Sequence, residues 1–325
     1  MLKVVIIGAV NSTYLTLEAL IRHHVPVTLA LGLTPKNPEL VSGYCDLQPL
    51  CTAHDIPFCA FLKVNDPEVV NKVRAAEPDV LFVVGLSQLV GRELLGIPRL
   101  GSIGFHPTSL PRGRGRAPIA WLVIERAVGA ASFFLMGEGT DDGPIFVQQP
   151  FVIGDQDDAG STEKKLLAAM ATALDHWLPR LIAGEWNPIP QDATTATYFC
   201  KRAPEDGLVD WQCSADVLDR LIKAAAPPHP GAFTFFQDKR LRITRCHIES
   251  DLKIHGVVGR VLVTGYADKP RALLVQTGLG LLWLDEYDIP SSSASLPRVG
   301  DKLGYDVQIE IYELKRQLSE LKKLP

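Results

Sequence analysis

The sequence predicts two folding units: an open, mostly parallel α/β sheet with crossover helices, followed by a small β-barrel. Three observations predict this. Short apolar runs alternate with helical patterns as far as residue 185, which is the signature of strand–helix–strand units. One run, 79-DVLFVVGL-86, is almost continuously apolar, as in a parallel strand buried on both faces. Beyond residue 230 the pattern changes to short strands separated by glycine-containing turns, as in a small barrel. A chain of 325 residues also exceeds the usual size of a single core.

The elements follow in order. Residues 3–7 (KVVII) read as a first strand, with Ser12 as the N-cap of the next helix. The run 27-VTLALGL-33 is a second strand; a helix within 45–55 and a short strand at 57–62 come next. Asp66-Pro67 opens a helix over 67–77, since proline is favoured at the first helical position. After strand 79–86 and an apolar run ending at His106, strands are expected at 130–136 and 145–153. A long helix should span 161–184, capped by Ser161 and stopped by Gly184. Prolines and a Thr/Ala tract mark 186–203 as a linker between a first domain at 1–185 and a second domain at 204–325. The second domain reads as a helix at 210–226, strands at 233–236, 240–248, 257–265, 271–278 and 279–288, and a terminal helix at 306–323.

Composition narrows the function. The chain is 46% hydrophobic and 22% charged with a formal net charge of -4, so bulk electrostatics favour neither nucleic acid nor an anionic membrane. The opening apolar run reaches Asn11-Ser12 within ten residues, too short to span a bilayer, and has no small-residue cleavage site; a cytoplasmic protein is expected. Six cysteines without a C-x-x-C pair argue for free thiols and no metal site. The turn GAVNSTY after the first strand lacks the G-x-G-x-x-G spacing of a dinucleotide site.

In open α/β sheets ligands bind beyond the carboxyl ends of the strands. There the sequence places 103-IGFHPTSLPRGRGRAPIAW-121, with His106 at the strand end, and 139-GTDDGP-144. A histidine there can transfer protons near neutrality. A carboxylate beside it would orient the ring and raise its pKa, although Asp-Gly is also ordinary turn chemistry.

The residues His106, Pro107, Leu110, Pro111, Gly115, Arg116, Ala117 and Pro118, followed 35 residues after the histidine by Asp141 and Gly143, resemble the 10-formyltetrahydrofolate-dependent formyltransferases. The stretch 202–233 is similar to the start of that family's C-terminal, OB-like barrel. The resemblance implies a Rossmann-like sheet of the formyltransferase type and transfer of a formyl group from 10-formyltetrahydrofolate to a primary amine. His106 matches the general acid/base and Asp141 its carboxylate, with Asp142 out of register. Folate would lie along Gln88, Leu89 and Val90, along Thr108, Ser109, Leu110 and Pro111, beside Arg116, and along Gly137, Glu138, Gly139 and Thr140.

The spelling GRGRAPIAW is similar to sugar N-formyltransferases such as the UDP-aminoarabinose enzyme, so a nucleotide-linked amino sugar is the preferred acceptor, with methionyl-tRNA as the alternative. Arg112 and Arg114 would then meet phosphate, and Asn11 and Ser12 would border the sugar nucleotide. One residue departs from the family. Where it reads N-x-H, with the asparagine polarising the formyl oxygen, this chain has Gly104. Ser102, one step back on the same face, or Thr108 could substitute as donor; a different substrate, or a binding or hydrolytic protein with altered catalysis, are the other outcomes. A homo-oligomer is compatible with the sequence.

Overall fold

The computed structural model describes residues 2–289 and 295–322. They form two compact units, 1–202 and 203–325. The first is built on a seven-stranded sheet of order β3-β2-β1-β4-β5-β7-β8. Strands β1 (Val4–Gly8), β2 (Val27–Leu33), β3 (Phe58–Phe61), β4 (Val80–Val83) and β5 (Gly101–Thr108) are parallel, β7 (Gly129–Leu135) runs antiparallel to β5, and β8 (Ile145–Phe151) pairs antiparallel with β7 and so runs in the direction of the first five. The mostly parallel sheet read from the sequence is therefore present, with its helices in the crossovers.

Both faces are covered. On one, α1 (Asn11–Arg22) and α6 (Ala159–Ile182) pack on Val4, Ile6, Phe82, Ile103 and Phe133. Trp177 of α6 is the centre of that layer, 6.0 Å from the ring of Phe82 and 5.5 Å from that of Phe133. On the other face α3 (Pro67–Ala75) and α4 (Arg92–Leu95) cover Val5, Ile7, Leu81 and Val83. The strand β4 is buried throughout, which is why its sequence shows no alternation. Helices α2 (Gln48–Ala53) and α5 (Pro118–Glu125) complete this unit.

Two helix caps differ from the sequence reading. Ser12 lies inside α1, and the turn is instead held by Thr13, whose hydroxyl accepts from the amides of Ala9 and Val10 and donates to the Val84 carbonyl. Helix α6 is capped by Asp158, which accepts from the Ser161 amide, so Ser161 is the third helical residue rather than the cap. In both cases a hydroxyl several residues from the true boundary mimicked a cap in the sequence, because Ser and Thr also bond backbone within a helix or across a turn.

The stretch read as a linker is bonded to the first unit over much of its length. Ile189 exchanges both backbone hydrogen bonds with Ile145, and β9 (Tyr198–Phe199) pairs in parallel with β6 (Arg114–Gly115).

The second unit is a five-stranded antiparallel sheet of order β10-β11-β14-β13-β12, formed by β10 (Ala232–Phe236), β11 (Lys239–Glu249), β12 (Val261–Tyr266), β13 (Lys269–Gln276) and β14 (Leu281–Asp288). Helix α7 (Ala215–Ala225), capped by Ser214, packs on β11. The segment 300–304 links the two edge strands: Gly300 donates to Val261 of β12 and Gly304 to Phe235 of β10. The apolar run of β14 is core, with Leu282, Trp283 and Leu284 buried. Helix α8 (Val307–Leu321) ends the described chain; residue 323 of the expected helix lies outside the described residues.

Candidate active site

Strand β5 builds the site through its alternation. Ile103 and Phe105 face the α6 layer, so Ser102, Gly104, His106 and Thr108 face the opposite way. His106 is 5% exposed. Its Nε2 lies 2.8 Å from the carbonyl oxygen of Gly113, which can only accept, so Nε2 carries the proton and Nδ1 is bare in the neutral ring. That Nδ1 lies 3.5 Å from Oδ2 of Asp141.

Asp141 reaches across from the β7–β8 loop, and the same Oδ2 accepts from the Gly115 amide at 2.8 Å. Its loop is tight. A Cβ on Gly143 would fall 1.6 Å from the Leu135 carbonyl oxygen, so only glycine permits this close approach two residues after the aspartate. Asp142 is exposed.

The net shift at His106 is opposite in sign to the contribution of Asp141 expected from the sequence. The Asp141 carboxylate and the Gly113 carbonyl do pull the His106 pKa up, but burial outweighs them and pushes it below the ordinary imidazole range. The ring is therefore neutral at pH 7, poised as a base rather than as a standing cation.

Gly104 is the position where the family resemblance expects an asparagine. It pairs with Val83 on one side and Phe134 on the other. A Cβ there would come within 2.8 Å of Phe134 Cζ and 2.9 Å of Met136 Cγ. The space beside His106 is thus filled by apolar groups. Neither suggested substitute donor faces it freely: the Ser102 hydroxyl donates to the Leu95 carbonyl at 3.0 Å, and the Thr108 hydroxyl to the Gly113 carbonyl at 3.4 Å.

The other sequence-named positions divide into free and engaged groups. Arg112 and Arg116 are exposed, as are Leu89, at 90%, and the run Gly137 to Thr140. Ser109 and Pro111 are half-buried, while Val90 and Leu110 are buried. Gln88 bridges two loops, accepting from the Val64 amide and donating to the Leu62 carbonyl. Glu138 pairs with Arg92 at 2.9 Å. Asn11 donates to Glu163 of α6, and Ser12 is buried.

Arg114, expected to meet phosphate, turns inward instead and is 4% exposed. Its guanidinium is held by Gln191 Oε1 at 2.7 and 3.2 Å and by the Tyr198 hydroxyl at 3.3 Å. Strand pairing of β6 with β9 fixes the backbone on either side and directs the side chain into the domain.

Sequence reasoning missed Gln191. Besides accepting from Arg114, it donates to the carbonyls of Asp141 and Gly143 at 2.8 and 2.7 Å, and so clamps the loop that carries the aspartate. Thr197 was missed too; its hydroxyl accepts from the Gly113 amide, fixing the residue that holds His106. No local signal marks either, because both act across 48 to 84 residues of chain. The variant Gln191→Leu is expected to leave buried Arg114 donors and two loop carbonyls unsatisfied. A loss of about 1–3 kcal/mol in stability should follow, measured by thermal or denaturant unfolding.

With this geometry in view, comparison with known proteins decides the family. Residues 49–178 match the family Formyl transferase and residues 201–295 match Formyl transferase, C-terminal domain. A methionyl-tRNA formyltransferase of Geobacter sulfurreducens is 31% identical over 295 residues, covering 89% of each chain. The chain belongs to the formyltransferase family. A second methionyl-tRNA formyltransferase, from Citrifermentans bemidjiense, is 31% identical over 314 residues, covering 94% of this chain and 95% of its own. Among solved structures, an N-formyltransferase from Helicobacter canadensis in complex with folinic acid and dTDP-3-aminofucose superposes with a TM-score of 0.62 at 13% identity, over 89% of this chain and all of its own. That likeness shows the fold. This formyltransferase has no helix, among its described residues, long and apolar enough to cross a membrane.

Proposed function

We propose that this formyltransferase moves the formyl group of 10-formyltetrahydrofolate to a primary amine, using His106 and Asp141. The observation that carries the proposal is the neutral, buried imidazole whose bare Nδ1 lies 3.5 Å from a carboxylate. The acceptor nitrogen attacks the formyl carbon and forms the new C–N bond. His106 Nδ1 takes the proton that nitrogen sheds, and Asp141 stabilises the resulting imidazolium. The same proton then passes to N10 of the folate as the old C–N bond breaks. Gly113 holds the ring in the required tautomer throughout.

Folate along the exposed run Gly137 to Thr140, Leu89 and Arg116 fits this direction of approach, since these groups are open to solvent at the strand ends. The buried and half-buried Val90, Thr108, Ser109, Leu110 and Pro111 form the loop wall behind them, with Gln88 holding the β4–α4 loop.

A nucleotide-linked amino sugar is the acceptor this reading favours. A tRNA backbone requires a row of unneutralised cations. On β11 of the second unit, however, Arg242 is paired with Asp288 and Arg245 with Glu286, and the net charge of the chain is -4. Methionyl-tRNA is the second reading, supported by the two relatives that match nearly the full chain. The deciding assay supplies purified protein with 10-formyltetrahydrofolate and either a panel of nucleotide amino sugars or charged initiator tRNA. Release of tetrahydrofolate should depend on one acceptor class; release of formate with no acceptor would overturn transfer in favour of hydrolysis.

A further inference from the structure

Helix α8 has none of its residues buried. Val307, Ile311, Leu314, Leu318 and Leu321 lie along it at alternating spacings of four and three and are 46–64% exposed. That spacing is the apolar seam of a heptad repeat, and it gathers the five side chains into one narrow stripe. Ile309 and Tyr312 are also exposed but fall away from the stripe. The helix lies beyond residue 295, where the match to the C-terminal family domain ends.

We propose that α8 pairs in parallel with α8 of a second copy of this chain. A seam repeating every 3.5 residues is covered by a helix with the same repeat, whereas α1, α3, α6 and α7 bury their apolar residues in their own units. The flanking charges select orientation. With Ile311 and Leu318 at the first core position of the heptad and Val307, Leu314 and Leu321 at the second, Glu310 and Gln317 line one side and Gln308, Lys315 and Lys322 the other. In parallel register Glu310 of each copy meets Lys315 of the other, twice by symmetry, and Gln317 meets Lys322. Antiparallel pairing would bring the lysine-bearing sides together. A β-branched residue at the first core position, Ile311, with leucine at the second, Leu314, also favours two strands.

Two heptads make a short seam, so the association is weak and concentration-dependent. Sedimentation velocity of the full chain at low salt, over a roughly hundredfold range of concentration, should show a monomer moving to a dimer. The variant Leu314→Glu/Leu318→Glu should remain monomeric with unchanged thermal unfolding, since both side chains are exposed. Either Glu310→Lys or Lys315→Glu should weaken the dimer by roughly tenfold, and combining them should restore it. A chain that stays monomeric, a dimer that survives the double leucine change, or a combined reversal that fails to restore association each overturns the proposal. A monomer destabilised by Leu314→Glu/Leu318→Glu would show instead that α8 docks on its own chain, and overturns it equally.

Discussion

His106→Ala is expected to lower turnover by a factor of about 10²–10⁴, the usual contribution of a positioned general acid/base, while folate affinity measured by calorimetry stays within a few fold. The pH dependence identifies the role more sharply. Burial holds the imidazole pKa below its ordinary value, so the base remains neutral and active to lower pH than a free histidine would. The acid limb of the rate profile should therefore fall below about pH 6.5. Asp141→Asn removes a group that pulls this pKa up, so the limb should move further toward acid as the rate drops.

Stability follows the same linkage. Between the depressed folded value and the ordinary one, the unfolded chain binds a proton that the folded chain does not. Folding is thus unaffected above about pH 6.5 and weakens as pH falls below it, and His106→Gln should remove that part of the acid sensitivity. A limb at or above the ordinary imidazole value would mean that His106 is not the titrating base.

Gly104→Asn is expected to restore the residue type of the family resemblance without restoring a donor. The first side-chain carbon would press on Phe134 and Met136, and overpacking of this kind costs about 1–3 kcal/mol. Unfolding should show that loss, with turnover unchanged or lower. On the proposed reading, the missing asparagine predicts a modest rate in the native protein, since one missing oxyanion donor costs about 2.7–4 kcal/mol of transition-state stabilisation. Opening the space with Phe134→Ala before adding Gly104→Asn should raise turnover relative to Phe134→Ala alone. A tenfold gain from Gly104→Asn by itself, at unchanged stability, would show that the apolar pair yields easily and that only the amide was lacking.

How far the site could be read from sequence depends on the range of each interaction. The strand end at His106, the D-x-G turn and the break at Gly104 are local patterns, and all were legible. The inward, hydrogen-bonded position of Arg114 was not: in sequence it sits in an arginine-rich loop that reads as open, and only the pairing of β6 with β9, from a stretch read as linker, turns it inward. Gln191 was invisible for the same reason.

Alternating strands and helices, the continuous apolar run of β4 and the short strands beyond residue 230 were enough to determine the two units and their sheet types, because burial imposes a periodicity that residues carry individually. The sign of the His106 pKa shift, the filling of the Gly104 space by Phe134 and Met136, and the clamp of Gln191 on the Asp141 loop were decided only by the tertiary structure. Each depends on what two distant segments place at one point in space, and desolvation, steric contact and hydrogen bonding all act at that range alone.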